Sequence, residues 1–127
     1  MAKNRIFVSF PKEDSNLRDL LVGQARNANC PFEFIDMSVH TAWDSQWKTN
    51  CRTKIKGCDG LIAIITKNTY NAEGQIWEIG CAAEEDVPIL CIKTSEYKPS
   101  DNTKSKIGNR RIRDWDWDTI DNFIKGL

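Results

Sequence analysis

The chain has 127 residues with 18 basic and 18 acidic side chains, so its formal net charge is zero at pH 7. The length suits one domain with one hydrophobic core, and the balanced charge argues against a dedicated nucleic-acid-binding protein. No apolar stretch approaches the length that crosses a membrane, and the first residues lack the apolar segment of a secretory signal. We therefore expect a cytoplasmic protein with no membrane or nucleic-acid partner.

Four short apolar segments predict β-strands, and segments of helical periodicity separate them. The predicted strands are residues 5–10, 32–36, 60–66 and 88–93. The last two are almost continuously apolar, which is typical of strands that are covered on both faces in a parallel sheet. The resulting β-α-β-α-β-α-β order predicts a layered α/β domain with a mostly parallel sheet of four to five strands.

Each segment between strands carries apolar residues at helical spacing. The first helix, with Asp14 or Ser15 as its candidate cap, is predicted to bury Leu17, Leu20, Leu21, Ala25 and Ala28. The second carries an i, i+4 stripe of Trp43, Trp47, Cys51 and Ile55. The third is predicted to turn inward Ala72, Ile76, Ile79, Gly80 and Ala83.

The last third of the chain is less regular. Residues 94–111 are polar and rich in turn formers, which predicts a long surface loop. Residues 112–127 predict a short edge strand or bridge and a closing helix that begins after Asp116. One face of that helix carries Trp117, Ile120, Ile124 and Leu127. No internal repeat marks a second domain, so we predict a single domain over residues 1–127.

The five cysteines do not form a metal-binding pattern. No two are spaced as Cys-x-x-Cys, and the only histidine is His40. A zinc site would need closely spaced thiolates or histidines. We therefore predict no metal and expect buried or half-buried free thiols in a reducing compartment. The five are Cys30, Cys51, Cys58, Cys81 and Cys91.

A ligand site in an open parallel sheet lies beyond the carboxyl ends of the strands, where the strand order reverses. Three loops are predicted to reach that edge, and the helix with Trp77 and Glu78 begins there. The loops carry Ser9, Phe10, Asp36, Ser38, His40, Trp43, Thr66 and Asn68. The glycine-rich loops of dinucleotide-binding and P-loop proteins are missing, and no Ser-His-Asp or Cys-His set can be assembled.

Periodicity leaves the role of Glu78 open. A rotation of ~100° per residue places it opposite Ile76, Ile79 and Ala83, which predicts a solvated carboxylate on the outer helix face. Its place in the first turns of the helix, beside Trp77 and bordering the predicted crevice, favours a role in a site. The residues alone do not decide between these two interpretations.

Several segments in combination resemble TIR and TIR-like domains, in particular the bacterial TIR-like proteins of the Thoeris anti-phage system. The likeness covers residues 5–93 and rests on "RIFVSFPKED", "FEFID", "WKTNCRTKIKGCDGLIAIITKNT" and "GQIWEIGCAAEE". The ending "DWDWDTIDNFIKGL" is also similar. The resemblance implies a flavodoxin-like fold.

The resemblance also implies an enzyme that consumes NAD as its substrate and needs no other cofactor. TIR enzymes cleave the bond between nicotinamide and ribose with a glutamate of this helix, and the match falls on Glu78. In the Thoeris branch an ADP-ribose-derived product activates a separate effector after a phage-derived trigger, and assembly into homo-oligomers is expected. Candidates for stacking on nicotinamide or adenine are Phe10, Trp43 and Trp77. Candidates for hydrogen bonds to ribose or phosphate are Ser9, Asp36, Thr66 and Asn68.

One carboxylate is chemically sufficient for this reaction. Glycosidases that expel an alkoxide use two carboxyl groups, one of which protonates the departing oxygen. Nicotinamide is attached in NAD as a pyridinium and leaves neutral, so no general acid is required. A single carboxylate then stabilises the oxocarbenium-like positive charge of the transition state.

Two other functions stay open on the sequence. The fragment "CDGLIAII…GQIWEIGCAAEEDVPIL" is also similar to nucleoside deoxyribosyltransferases, which form a covalent ester on a glutamate, although "SFPKED" differs from the turn of that family. A non-catalytic TIR-like interaction module is the second. The first would transfer deoxyribose between bases, and the second would not turn over NAD.

Overall fold

The fold is a parallel sheet enclosed by helices in a computed structural model that describes residues 4–28, 32–35 and 45–127. The strands are β1 (Asn4–Ser9), β2 (Phe32–Ile35), β3 (Gly60–Ile64), β4 (Ile89–Lys93) and β5 (Ile112–Asp114). The helices are α1 (Ser15–Asn27), α2 (Ser45–Lys56), α3 (Glu73–Glu84), α4 (Asp101–Lys106) and α5 (Trp117–Lys125), and 3-10 turns span Lys12–Asp14 and Thr69–Asn71. Every strand pairing is parallel, in the order β2-β1-β3-β4-β5. The predicted flavodoxin-like α/β fold is confirmed.

Helices cover both faces of the sheet and create two core layers. Successive residues of β1 alternate between them: Ile6 and Val8 pack with buried residues of α1 and α5, whereas Phe7 packs with buried residues of α2 and α3. We call these the α1/α5 layer and the α2/α3 layer. All five residues of β3 are buried, as the continuous apolar run predicted. The sheet therefore separates two hydrophobic core layers.

The predicted helical faces are confirmed in part. On α2, Trp47, Cys51 and Ile55 are buried, as the stripe predicted, while its fourth member, Trp43, lies outside the described residues. On α1 the buried face is narrower than predicted. Leu21 and Ala25 are buried there, whereas Leu20 is 51% exposed, because Leu20 is rotated ~100° about the helix axis from Leu21.

The prediction of a surface loop over residues 94–111 is wrong in its centre, where α4 forms. The Ser100 hydroxyl caps this helix by accepting the backbone N–H of Thr103 at 3.2 Å. Thr103 and Ile107 are buried, and Ile107 joins the α2/α3 layer. The segment did not predict a helix because few residues of α4 face the core, so its sequence is almost entirely polar.

The closing segment follows the prediction except at Leu127. β5 pairs with β4 at the sheet edge, and the Asp116 carboxylate accepts the backbone N–H of Asp118 at 3.4 Å at the start of α5. Ile120 and Ile124 are buried, whereas Leu127 lies beyond the helix and is 37% exposed. No helix within the described ranges is long and apolar enough to span a bilayer.

Candidate active site

Glu78 lies inside the domain, because α3 buries a different face from the one that its apolar residues predict. The buried residues of α3 are Gln75, Glu78, Ile79, Cys81 and Ala82. Of the predicted inner face, Ile76 and Ala83 are half-buried and Gly80 is exposed. Glu78 is only 4% exposed, so the prediction of a solvated outer carboxylate is wrong. Two polar residues, Gln75 and Glu78, belong to the buried stripe, and an apolar periodicity cannot detect them.

Three elements converge on the Glu78 carboxylate. Ser9, the last residue of β1, donates its hydroxyl to Oε1 at 2.7 Å. Cys51 of α2 donates its thiol to Oε2 at 3.8 Å, a long and weak hydrogen bond. Ser9 has no exposed surface and Cys51 has none either. The end of β1 and helix α2 thus each contact one oxygen of the carboxylate that α3 carries.

The thiols near this carboxylate are protonated at neutral pH. Burial raises the pKa of the Cys51 thiol, and the adjacent Glu78 carboxylate raises it further. Burial also raises the pKa of Cys81, against the opposing effect of Arg52. Since only the thiolate is a strong nucleophile, Cys51 serves here as a hydrogen-bond donor. Cys51, Cys58, Cys81 and Cys91 are all buried free thiols, and Cys30 lies outside the described residues.

Gln75 was not predicted as a site residue, yet it lies one turn before Glu78 on the same buried face and is 2% exposed. Its Nε2 donates to the backbone oxygen of Ser9 at 3.1 Å and to that of Ile64 at 2.7 Å. These carbonyls end β1 and β3, the strands between which the strand order reverses. The signal in the sequence was the i, i+3 spacing of two polar residues.

Thr66 and Asn68, two predicted substrate contacts, are brought together with Asp14 at the same edge of the sheet. The Thr66 hydroxyl donates to Asp14 Oδ2 at 2.6 Å. Asn68 Nδ2 donates to both carboxylate oxygens of Asp14, at 3.1 and 3.2 Å. Asp14 occupies the N-cap position of α1 without a side-chain capping bond. Its carboxylate instead ties the loop after β1 to the loop after β3.

The aromatic candidates face different layers. Phe10 packs against the α1/α5 layer, and the Arg18 guanidinium lies 5.6 Å from its ring centre. Trp77 packs against the α2/α3 layer, where its ring centre lies 5.5 Å from that of Trp47. The Arg52 guanidinium lies 5.5 Å from the Trp77 ring. Of the two aromatic candidates that the structure describes, Trp77 therefore lies on the side of the sheet where α3 carries Glu78. The other two candidates, Asp36 and Trp43, lie outside the described residues, as does His40.

A surface groove of about 450 Å³ lies beside Trp77, and α2 forms most of its wall. The groove is lined by Lys48, Thr49, Arg52, Thr53, Lys56 and Trp77. Arg52 pairs with Glu84 at 3.2 Å and with Glu85 at 3.1 Å, so acidic side chains offset part of its positive charge. Glu78, the residue next to Trp77 in sequence, is not among the lining residues.

The comparison with solved structures identifies the fold. The TIR domains in the structure of the activated Roq1 resistosome directly recognizing the pathogen effector XopQ superpose with a TM-score of 0.57 and 14% sequence identity, over 84% of this chain and 70% of that chain. The chain has a TIR-like fold. A putative pilus assembly-related protein from Burkholderia pseudomallei matches this TIR-like chain with a TM-score of 0.53 and 15% identity, over 98% and 88% of the two chains.

The likeness to these structures concerns the fold alone. No protein-family model and no curated protein matches the sequence. Identities of 14% and 15% are compatible with very different activities on one fold. The function of this TIR-like domain therefore depends on the residues of its site.

Proposed function

We propose that this TIR-like domain cleaves the bond between nicotinamide and ribose in NAD, with Glu78 as its catalytic carboxylate. The observation that supports this most is a glutamate only 4% exposed whose Oε1 accepts the Ser9 hydroxyl at 2.7 Å. Ser9 ends β1, beside the point where the strand order reverses, and ligands of open α/β sheets bind there. The Ser9 hydroxyl and the Cys51 thiol, which orient this carboxylate, are both uncharged donors.

The proposed chemistry uses Glu78 in its ionised form. When the bond from ribose C1′ to the pyridinium nitrogen breaks, its electron pair goes to nicotinamide, which leaves neutral. Positive charge then develops on the ribose, and the fixed Glu78 carboxylate stabilises it. Water, or a nucleophilic atom of the ADP-ribosyl group itself, adds at C1′ and gives up a proton. The products are nicotinamide and ADP-ribose or a cyclised relative.

The wider role that we propose is bacterial anti-phage defence of the Thoeris kind. It rests on the likeness of residues 5–93 to that branch. The ADP-ribose-derived product would activate a separate effector in the cytoplasm, after a phage-derived trigger has switched the enzyme on. The TIR domains of Roq1 belong to an activated resistosome, and we propose that this chain also works as a homo-oligomer.

The deciding experiment is mass spectrometry of the products formed from NAD, with and without phage lysate as trigger, by the wild type and by Glu78→Gln. We expect nicotinamide release to fall about 100-fold or more in the variant, the scale on which one preorganised electrostatic group acts. Glu73→Gln, which changes an exposed glutamate of the same helix, should retain wild-type turnover.

Two results would contradict the proposal. Wild-type turnover by Glu78→Gln would exclude Glu78 as the catalytic group. No NAD cleavage by the wild type, with or without lysate and at any protein concentration, would favour a non-catalytic interaction module. A parallel reaction with a deoxynucleoside and a free base tests for deoxyribosyl transfer, and base exchange there would favour the deoxyribosyltransferase alternative.

A further inference from the structure

The orientation of the Gln75 side chain is determined by its surroundings. Both of its short contacts are to backbone carbonyl oxygens, at the ends of β1 and β3, and a carbonyl accepts hydrogen bonds only. The NH₂ group must therefore face the strands. Oε1 then points elsewhere, and it is a buried acceptor without a hydrogen-bond partner among the described residues.

A residue selected only to fill the core would avoid this arrangement. A buried acceptor without a partner costs stability, and such groups in native proteins call for an explanation. Local rules of this kind are most often broken at functional sites. Gln75, at 2% exposure, combines that cost with a position at the reversal of strand order.

Gln75 and Glu78 hold the same residue from two sides. Gln75 binds the backbone oxygen of Ser9 at 3.1 Å, and Glu78 binds the hydroxyl of Ser9 at 2.7 Å. The backbone position of Ser9 determines where its hydroxyl lies. A shift of this strand end would therefore move the donor that orients the Glu78 carboxylate.

We propose that Gln75 is a positioning residue that fixes the end of β1, and through Ser9 the carboxylate of Glu78. This inference rests on the proposed function, because it assigns Gln75 to the same site. Gln75 need not touch the substrate, and its contribution passes through the Ser9 backbone. Loss of the amide should leave substrate binding nearly intact and weaken the chemical step.

A double-mutant cycle tests the route through Ser9. We expect Gln75→Met and Ser9→Ala each to lower kcat for NAD by about 10- to 100-fold, the scale of a misplaced catalytic group, with KM changed less than about 2-fold. If Gln75 acts through Ser9, the double variant loses no more than the more severe single variant. Losses that multiply in the double variant would overturn the inference.

A matched control separates positioning from stability. Gln24 also makes a side-chain bond, accepting from Trp115 Nε1 at 2.8 Å, and its helix α1 belongs to the other layer. Gln24→Met should leave kcat within about 2-fold of the wild type even where its Tm falls as far as that of Gln75→Met. A matching loss of kcat in Gln24→Met would reduce the Gln75 effect to a general loss of stability.

A second measurement does not depend on NAD turnover. Three-bond NMR couplings report whether the Ser9 and Glu78 side chains each occupy one rotamer. We expect single-rotamer values in the wild type and in Gln24→Met, and averaged values in Gln75→Met or, if that variant does not fold, in Gln75→Asn. Unchanged couplings would overturn the inference. Averaged couplings in a chain whose wild type leaves NAD intact would uphold the positioning role and contradict the proposed function.

Discussion

The hydrogen bond of 2.7 Å from the Ser9 hydroxyl to Glu78 and the contact of 3.8 Å from the Cys51 thiol make unequal contributions to one carboxylate. A hydroxyl donor at 2.7 Å has the distance of a fully formed O–H···O hydrogen bond. A thiol is a weak donor at any distance. At the scale of single residues, Ser9 is therefore the principal neutral donor of the described site, and Cys51 mainly fills space beside the carboxylate.

This inequality predicts a difference between two truncations. Ser9→Ala should lower NAD cleavage by about 10- to 100-fold, because the carboxylate loses the short hydrogen bond from the Ser9 hydroxyl. Cys51→Ala should lower it by less than about 3-fold, since a weak bond is lost. Both rates are measured as nicotinamide release at saturating NAD. An equal loss in the two variants would show that the thiol orients Glu78 as strongly as the hydroxyl does.

At the scale of secondary-structure elements, the loops after β1 and β3 are joined by a carboxylate. Asp14 accepts hydrogen bonds from the Thr66 hydroxyl at 2.6 Å and from the Asn68 amide at 3.1 and 3.2 Å. All three side chains are half-buried. These bonds connect the two loops at the edge of the candidate site.

Asp14→Ala should therefore destabilise the domain. Hydrogen bonds to charged groups contribute roughly 1.5–3 kcal/mol each, and this variant leaves Thr66 and Asn68 without their shared acceptor. We expect the free energy of unfolding to fall by about 2 kcal/mol, measured by urea denaturation. Glu13→Ala, at an exposed acid of the same turn, is the control. A loss of the same size in both variants would mean that the loop connection contributes nothing.

At the scale of the whole molecule, the buried thiols make the free energy of unfolding fall at alkaline pH. Burial raises the pKa of Cys58 and of Cys91 from 9.0 to about 11, against the opposing effects of Arg5 and Arg110. The unfolded chain releases these protons at lower pH than the folded chain does. Their stabilising contribution is therefore complete below about pH 9 and is lost as the pH rises towards 11.

We predict that Cys91→Ala flattens this alkaline loss. A difference of two pKa units corresponds to about 2–3 kcal/mol, so the free energy of unfolding of the wild type should fall by that much more than that of Cys91→Ala between pH 9 and pH 11. The removed side chain lowers stability at every pH, and the slope is the informative quantity. Parallel curves for the two proteins would show that Cys91 titrates alike in the folded and unfolded chains.

Much of the fold could be predicted because strand formation depends on local apolar content. Four of the five strands were predicted within two residues of their ends, and β5 was predicted as an edge strand or bridge. Helix α4 was missed, since Thr103 is its one buried residue and Ile107 follows it at the C-cap. A short helix of polar residues has too few apolar positions to show a helical periodicity.

Local patterns in the sequence predict the alternation of strands and helices, and with it the sheet edge that carries Ser9, Thr66 and Glu78. The buried face of each helix and the contacts between distant side chains depend on the tertiary structure. It turned α3 so that Gln75 and Glu78 lie inside, and it joined Asp14 to Thr66 and Asn68. Apolar periodicity identifies only the helix positions whose side chains gain stability by leaving water. A buried polar residue is stabilised by partners distant in the chain, and those partners meet only when the sheet has formed.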